Sequence, residues 1–387
     1  MKVARGELFA VPPRWLFLRL EADDGTVGWG EPIVEGRAAT VATAVEELLE
    51  YVVGTDPRRI EDTFQTLYRG GFYRGGPILT SAISGIEQAL WDMKARALGV
   101  PVYELLGGPV RERMRVYAWI GGDRPHEASA AARERLEQGY RAVKMNASGE
   151  AGYSEPPAFV EAVVARAEAV REAVGPQVDL ALDFHGRVHT SLAARLLDAL
   201  QAVAPMFVEE PVLSEHLDAL PELARRTSIP LATGERMYTR WGFRELLQRG
   251  GVAIVQPDVS HAGGIWETRK IAAMAEAYDV ALAPHCPLGP IALASALQVD
   301  ACTPNALIQE ESFGIHYNAG GEVDTYVKGA DWLIPSDGYV TVPDGPGLGI
   351  EIDEPAVRVA AERAAREGAR DWRNPIWRLP DGSIAEW

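Results

Sequence analysis

Between Met114 and about residue 312 the chain alternates short β-branched or apolar runs with helical stretches, and it does so eight times. The strand candidates are Met114–Ile120, Ala142–Asn146, Val178–Phe184, Met206–Glu209, Pro230–Thr233, Val252–Gln256, Val280–Pro284 and Ala306–Gln309. A helix between successive strands is the connection that lets each strand run parallel to the one before it. Eight such units predict an α/β chain that closes into a (β/α)8, TIM-like barrel.

The flanks have a different character. Ahead of the barrel, Trp15–Glu21 and Val27–Glu31 have strand character, and Asp23-Asp24-Gly25 between them is a hairpin turn signal. Ser81 to Leu98 carries Ile83, Ile86, Leu90 and Met93 at helical spacing, and Gly99 with Pro101 stops it. This stretch reads as a small α+β unit. The tail beyond residue 320 is richer in Gly, Pro and Trp and is expected to pack back on that unit.

Composition excludes several classes of function. With 38 Lys+Arg against 55 Asp+Glu the net charge is −17, which argues against binding a nucleic-acid backbone. No window approaches the uncharged apolar length of a membrane span. Pro12-Pro13-Arg14 interrupts the N-terminal stretch, so no signal peptide is expected. The two cysteines, Cys286 and Cys302, exclude a disulfide scaffold, and a cytoplasmic location is expected. An anionic substrate would then need positive charge supplied at the site itself.

The chemistry is concentrated at the ends of the proposed strands. Asp183 ends the third strand, Glu209 the fourth, and Glu235 follows the fifth, at equal spacings of 26 residues. Equivalent strand ends meet at the C-terminal mouth of a barrel, so three carboxylates are expected to face one point. Close carboxylates repel unless a cation sits among them, and an all-oxygen set without Cys favours Mg2+. His185 lies two residues beyond Asp183 and, if strand geometry continues, points to the same side. His285 ends the seventh strand, and Asp258 follows the sixth, placed to orient its imidazole as a general base. Third and seventh strands of eight are opposite, so the two histidines should flank the metal. Glu310, ending the eighth strand, is placed to hydrogen-bond an enolate, with Glu311 turned away. Gly75-Gly76-Pro77 and Gly263-Gly264 do not open a strand–GxGxxG–helix unit, which excludes a dinucleotide fold.

Gly85-Ile86-Glu87-Gln88-Ala89-Leu90-Trp91-Asp92, Asp183-Phe184-His185, Glu209-Glu210-Pro211, Gly234-Glu235, Gln256-Pro257-Asp258 and His285 together resemble the enolase superfamily in its mandelate-racemase-like branch. The resemblance covers nearly the whole chain. It implies an α+β capping domain over residues 1–112, a modified barrel over 113–318 and a C-terminal segment, 319–387, returning to the cap. It also implies Mg2+ on Asp183, Glu209 and Glu235, and Asp258–His285 as the base. Racemases of the branch carry Lys-x-Lys at the second strand, where this chain has Lys144-Met145-Asn146. An amide cannot take a proton from carbon, so a one-sided reaction is expected.

Further segments resemble the sugar-acid dehydratases of that branch, among them Gly71-Phe72-Tyr73-Arg74-Gly75-Gly76-Pro77, Gly314-Ile315-His316-Tyr317-Asn318 and Asp371-Trp372-Arg373-Asn374-Pro375. That likeness implies loss of water from a small-molecule sugar acid, with D-galactonate the first expectation and D-gluconate, D-mannonate or an aldarate as alternatives. His285 would remove the C2 proton, and protonated His185 would act as general acid on the C3 hydroxyl. Lys144 would bridge to the substrate oxygens, Asn146, Arg187 and His316 would meet hydroxyls, and Arg14, Tyr73 and Arg74 would close over the polyol end. A homo-oligomer is expected. The contrasting reading is a non-catalytic sugar-acid-binding relic, which would be missing a ligand or a base; neither is missing in the sequence.

Overall fold

The computed structural model describes residues 1–318, 321–367 and 373–386. The chain opens with three antiparallel strands, β1 (Val3–Val11), β2 (Trp15–Ala22) and β3 (Val27–Gly30), in that order across the sheet. The β2–β3 turn is closed by the Ala22 N–H donating to the Thr26 carbonyl at 2.9 Å, with Gly25 at φ 87°. Helices α1 (Ala38–Val52), α2 (Ile60–Arg69), α3 (Gly76–Leu98) and α4 (Val102–Leu105) follow. Helix α3 is buried almost throughout between Thr80 and Met93 because it lies between β3 and the second domain. It can come that close because β3 is Val-Gly-Trp-Gly: a Cβ on Gly30 would stand 1.9 Å from the Gly85 carbonyl oxygen, and one on Gly28 2.1 Å from that of Ala89.

The alternating units then appear in order: β4 (Arg113–Ile120), α5 (Pro125–Glu137), β5 (Ala142–Asn146), α6 (Pro157–Val174), β6 (Asp179–Asp183), α7 (Thr190–Leu200), β7 (Phe207–Glu209), α8 (Leu220–Arg226), β8 (Leu231–Thr233), α9 (Thr239–Arg249), β9 (Ile254–Val255), α10 (Ile265–Glu276), β10 (Ala281–Leu282), α11 (Pro290–Ala301) and β11 (Gln309–Glu311). All neighbours from β4 to β10 pair in parallel in chain order, and β11 pairs parallel with β4. A parallel bridge between Leu282 and Ala306 joins the remaining two ends and closes the barrel. Its interior is filled by Tyr117, Ala142, Ala181, Phe207, Ala232, Ile254, Ala283 and Ile308, one from each strand or its flank. Tyr117 and Phe207 meet edge to face across this layer at 6.2 Å, and alanines beside them leave the room.

Three strands differ from the sequence expectation by more than one residue at an end. β9 and β10 are two residues long, and beyond their C-terminal ends Pro257 and Pro284 have no N–H with which to extend the ladder. The eighth strand splits between its neighbours: residues 305–307 bond to Leu282 of β10, and only 309–311 pair with β4, so it ends at Glu311.

After the barrel come β12 (Val327–Lys328), β13 (Tyr339–Thr341), β14 (Glu351–Ile352) and α12 (Glu354–Glu367). β13 runs antiparallel to the start of β4, β12 pairs with β14, and α12 packs on β1, where Arg358 holds Glu7 at 2.7 Å. No helix among the described residues is long and apolar enough to cross a membrane.

Candidate active site

Parallel register brings Asn146, Asp183 and Glu209 to one level at the C-terminal mouth: Asn146 pairs with Asp183, and Asp183 with Glu209. Two residues before Asn146, on the same face of β5, Lys144 extends into the barrel. Its ammonium lies 2.8 and 3.0 Å from the oxygens of Glu209 and 2.7 Å from Glu310. Burial opposes this charge, but the two carboxylates outweigh it and hold the Lys144 pKa well above the usual range. Gln256 donates to the other side of Glu209 at 2.7 Å. Glu310 accepts from Lys144 and from the Cys286 N–H, 2.9 Å away. Against the effect of burial, Lys144, His285 and the Cys286 N–H hold the Glu310 carboxyl below its ordinary pKa, so it is placed as an acceptor, and the donor beside it is Lys144. Its neighbour Glu311 faces the other way and accepts from the Tyr140 hydroxyl at 2.7 Å.

His185 reaches the mouth by a different route from that expected. Strand geometry does not continue past Asp183: His185 has φ 53° and Gly186 φ 56°, a left-handed turn pinned by the His185 N–H on Asp183 Oδ1 at 2.6 Å. A Cβ on Gly186 would stand 1.5 Å from an Arg236 nitrogen, so a larger residue would displace the Arg236 side chain from Glu210 as well as strain the left-handed backbone. Burial and the nearby cations Arg187, Arg236 and Lys144 hold the His185 imidazole neutral, well below the ordinary histidine pKa.

Across the barrel, His285 Nδ1 and Asp258 Oδ2 are 2.8 Å apart, and the Ser260 N–H donates to the other Asp258 oxygen at 2.7 Å. His285 Nε2 lies 3.5 Å from Glu235. Burial works against charge on His285, and Glu235, Asp258 and Glu310 outweigh it, so its pKa stands well above the ordinary value. Glu35, His185, Glu235, Arg236, His261 and His285 face one cavity of about 250 Å³.

Among the described residues no three His, Cys, Asp or Glu side chains stand in metal-holding geometry. Glu209 is turned to Lys144 and Gln256, and Glu235 to His285, so the carboxylates do not meet at the single expected point. Their chemistry nevertheless fits a hard divalent cation. All three are oxygen donors, Asp183 and Glu209 buried and Glu235 partly so at the cavity wall. Desolvation together with repulsion from Glu210, Glu209 and Asp183 pushes Glu235 well above the carboxylate range despite His285.

Other expected contacts are distributed differently. Arg14 is buried but holds Glu35, the Pro287 carbonyl and the Tyr317 ring, so it ties the cap to the His285 loop and does not line the cavity. Tyr73 is 85% exposed and sits in a separate cavity against α1 and α2, and Arg74 is also exposed, because the 71–75 segment faces outward. Asn146 and Arg187 line a second chamber of about 420 Å³ with Trp119, Arg166, Tyr317 and Trp377. There Arg187 donates to the Ser148 carbonyl at 3.1 Å and lies over the Trp377 ring at 4.7 Å. The side chain of His316, and Asp371 and Trp372, lie outside the described residues.

Gln256, Glu210 and Arg236 were not singled out as site residues by sequence. Glu210 is buried, adopts φ 43° and is paired with Arg236 at 2.6 Å. Each stands within two residues of a strand-end acid, and that adjacency is the signal that could have found them.

A cap of α+β structure over an eight-stranded parallel barrel, with acids on successive strand ends and an Asp–His dyad at the mouth, defines the class. Residues 11–107 match the mandelate racemase/muconate lactonizing enzyme N-terminal domain and residues 127–356 the enolase C-terminal domain-like family, and the chain belongs to the enolase superfamily. Within it, the chain is 55% identical over 387 residues, the whole of both chains, to the D-galactonate dehydratases of Ralstonia nicotianae and Variovorax paradoxus. It also superposes on the crystal structure of an enolase from Agrobacterium radiobacter with a TM-score of 0.89 and 32% identity, covering all of both chains.

Proposed function

We propose that the protein is a hydro-lyase that converts D-galactonate to 2-dehydro-3-deoxy-D-galactonate. The observation that carries this reading is the pair of histidines, from opposite strands, that face one cavity, with Asp258 2.8 Å behind His285. Asn146 stands where a second base would be needed for racemisation, which supports a one-sided reaction. The full-length relatives that carry the D-galactonate dehydratase name support the substrate.

Asp183, Glu209 and Glu235 would hold Mg2+, which when bound supplies Lewis acidity at the substrate carboxylate. Asp258 accepts from Nδ1–H of His285 and so leaves Nε2 as the lone pair that takes the C2 proton. Taking a proton requires a neutral imidazole, so in the working enzyme the charge of Glu235 must be met by a partner other than His285. The electron pair left at C2 expels the C3 hydroxyl, His185 adds a proton to it, and water leaves. The resulting enol ketonises. An anionic substrate in the cavity favours the protonated His185 that this step needs, opposing the burial and cations that otherwise keep it neutral. Lys144, held by Glu310, keeps a fixed positive charge beside Glu209 at the mouth.

Two buried free cysteines support the cytoplasmic location proposed here, and a homo-oligomer is proposed with it. A panel of D-galactonate, D-gluconate, D-mannonate and aldarates with Mg2+, scored for 2-keto acid, tests the reading. Turnover of D-galactonate that is lost on chelation and restored by Mg2+ is expected, and its absence with every sugar acid would overturn the proposal.

A further inference from the structure

Two buried cap carboxylates take no part in this chemistry, yet each seats a helix of the barrel. Glu31, just beyond β3, accepts the N–H groups of Gly289 at 2.7 Å and Ala292 at 2.9 Å, at the start of α11. Glu87, in the middle of α3, accepts those of Ile265 at 2.7 Å and Trp266 at 2.9 Å, at the start of α10. In both places a glycine makes the room. A Cβ on Gly289 would stand 2.5 Å from a Glu31 oxygen, and one on Gly264 2.1 Å from a Glu87 oxygen.

These helices follow the two loops that present the base: α10 follows the Asp258 loop and α11 the His285 loop. The strands feeding the loops, β9 and β10, are only two residues long, so the barrel ladder fixes little of either loop. The cap does more of it. Ser84 accepts the Gly263 N–H at 2.9 Å, Gln88 donates to Ser260 at 3.0 Å, and Ser81 meets His261 Nδ1 at 3.0 Å. Arg14 holds the Pro287 carbonyl.

We propose that Glu31 and Glu87 are positioning residues for proton removal, each fixing from the cap the loop that carries one member of the Asp258–His285 dyad. The inference rests on His285 being the base. A loop displaced by a fraction of an ångström lengthens the dyad contact and turns Nε2 away from C2, a kind of misplacement that costs rate without touching substrate binding.

The test is Glu31→Gln and Glu87→Gln in the full chain with Mg2+, using D-galactonate protiated or deuterated at C2. Expected is a kcat per folded enzyme about tenfold lower or less, with KM within about twofold and a C2 isotope effect no smaller than the parent's. A simple loss of folded protein leaves the isotope effect and the corrected kcat unchanged. Parental kcat in both variants, or a lower kcat with a smaller isotope effect, overturns the proposal. Should Glu87→Gln fail to fold, Ser84→Ala probes the same loop and should lower kcat in the same sense; parental kcat there overturns it equally. His285→Asn run alongside separates the two assignments. If it abolishes C2 exchange while the glutamate variants match the parent, only the positioning role falls; if exchange persists, the base assignment falls and this inference with it.

Discussion

His285 and His185 face one cavity, and the proposed reaction gives them opposite duties. Asp258 sits behind His285 at 2.8 Å and stabilises its imidazolium, whereas burial and then the cationic neighbours of His185 discourage a proton there. The two steps should therefore separate by mutation. His285→Asn should abolish both dehydration and exchange of the C2 proton with D2O, lowering turnover by about 10²–10⁴-fold. His185→Asn should lose dehydration to a similar degree but keep C2 exchange, which NMR in D2O would show as loss of the C2 proton signal without product. Retained dehydration in either variant would remove that histidine from the mechanism. At this scale the acids at equal spacing and the dyad were readable from sequence, because one βα unit per step places them at equivalent strand ends. Glu310 was readable as a site residue but not as an acceptor, since that depends on Lys144 of β5 reaching it past the intervening strand β4.

Close contact between elements is set by single glycines. Helix α3 lies against β3 because Gly28 and Gly30 present bare backbone to it. Gly30→Ala should force the two apart and destabilise the protein by about 1–3 kcal/mol, the range for overpacked cores, with a matching fall in Tm on calorimetry. An unchanged Tm would mean that the cap absorbs the methyl group by shifting. β5 occupies Ala142–Asn146 as its alternation predicts, and the sequence run for β4 is off by one residue. β9 and β10 are shorter than their apolar runs, and hydrophobic pattern does not register a missing proline N–H beyond them; the split of the eighth strand reflects two neighbours competing for one run.

Over the whole molecule the charge of −17 is borne unevenly, and some of the acids are buried where they titrate with folding. Glu311 is buried against Tyr140, and burial pushes its pKa from 4.5 up to about 8. Burial raises Glu31 to about 7 and Glu87 to about 8 as well. A carboxyl whose folded pKa is raised binds more protons folded than unfolded, so its contribution is fully present below about pH 4.5 and is lost as pH rises through the folded value. Stability measured by denaturant titration should therefore decline between pH 5 and pH 8, by up to about 1.4 kcal/mol per pH unit for each such group. Glu311→Gln, which lies outside the site, should make that decline shallower; an unaltered slope would show that Glu311 is ionised in the folded protein.

By itself the sequence determined that the chain forms eight parallel units behind an α+β domain and that Asp183, Glu209, Glu235, Asp258 and His285 lie at or just beyond the ends of successive strands. Those follow from repeats of fixed period, which local pattern carries. The tertiary structure alone decided which acid pairs with Lys144, that His185 enters through a left-handed turn, that Tyr73 and Arg74 face outward and that the cap grips both loops of the base. Each of these depends on groups far apart in the chain meeting at hydrogen-bond distance, and no period in the sequence encodes such a meeting.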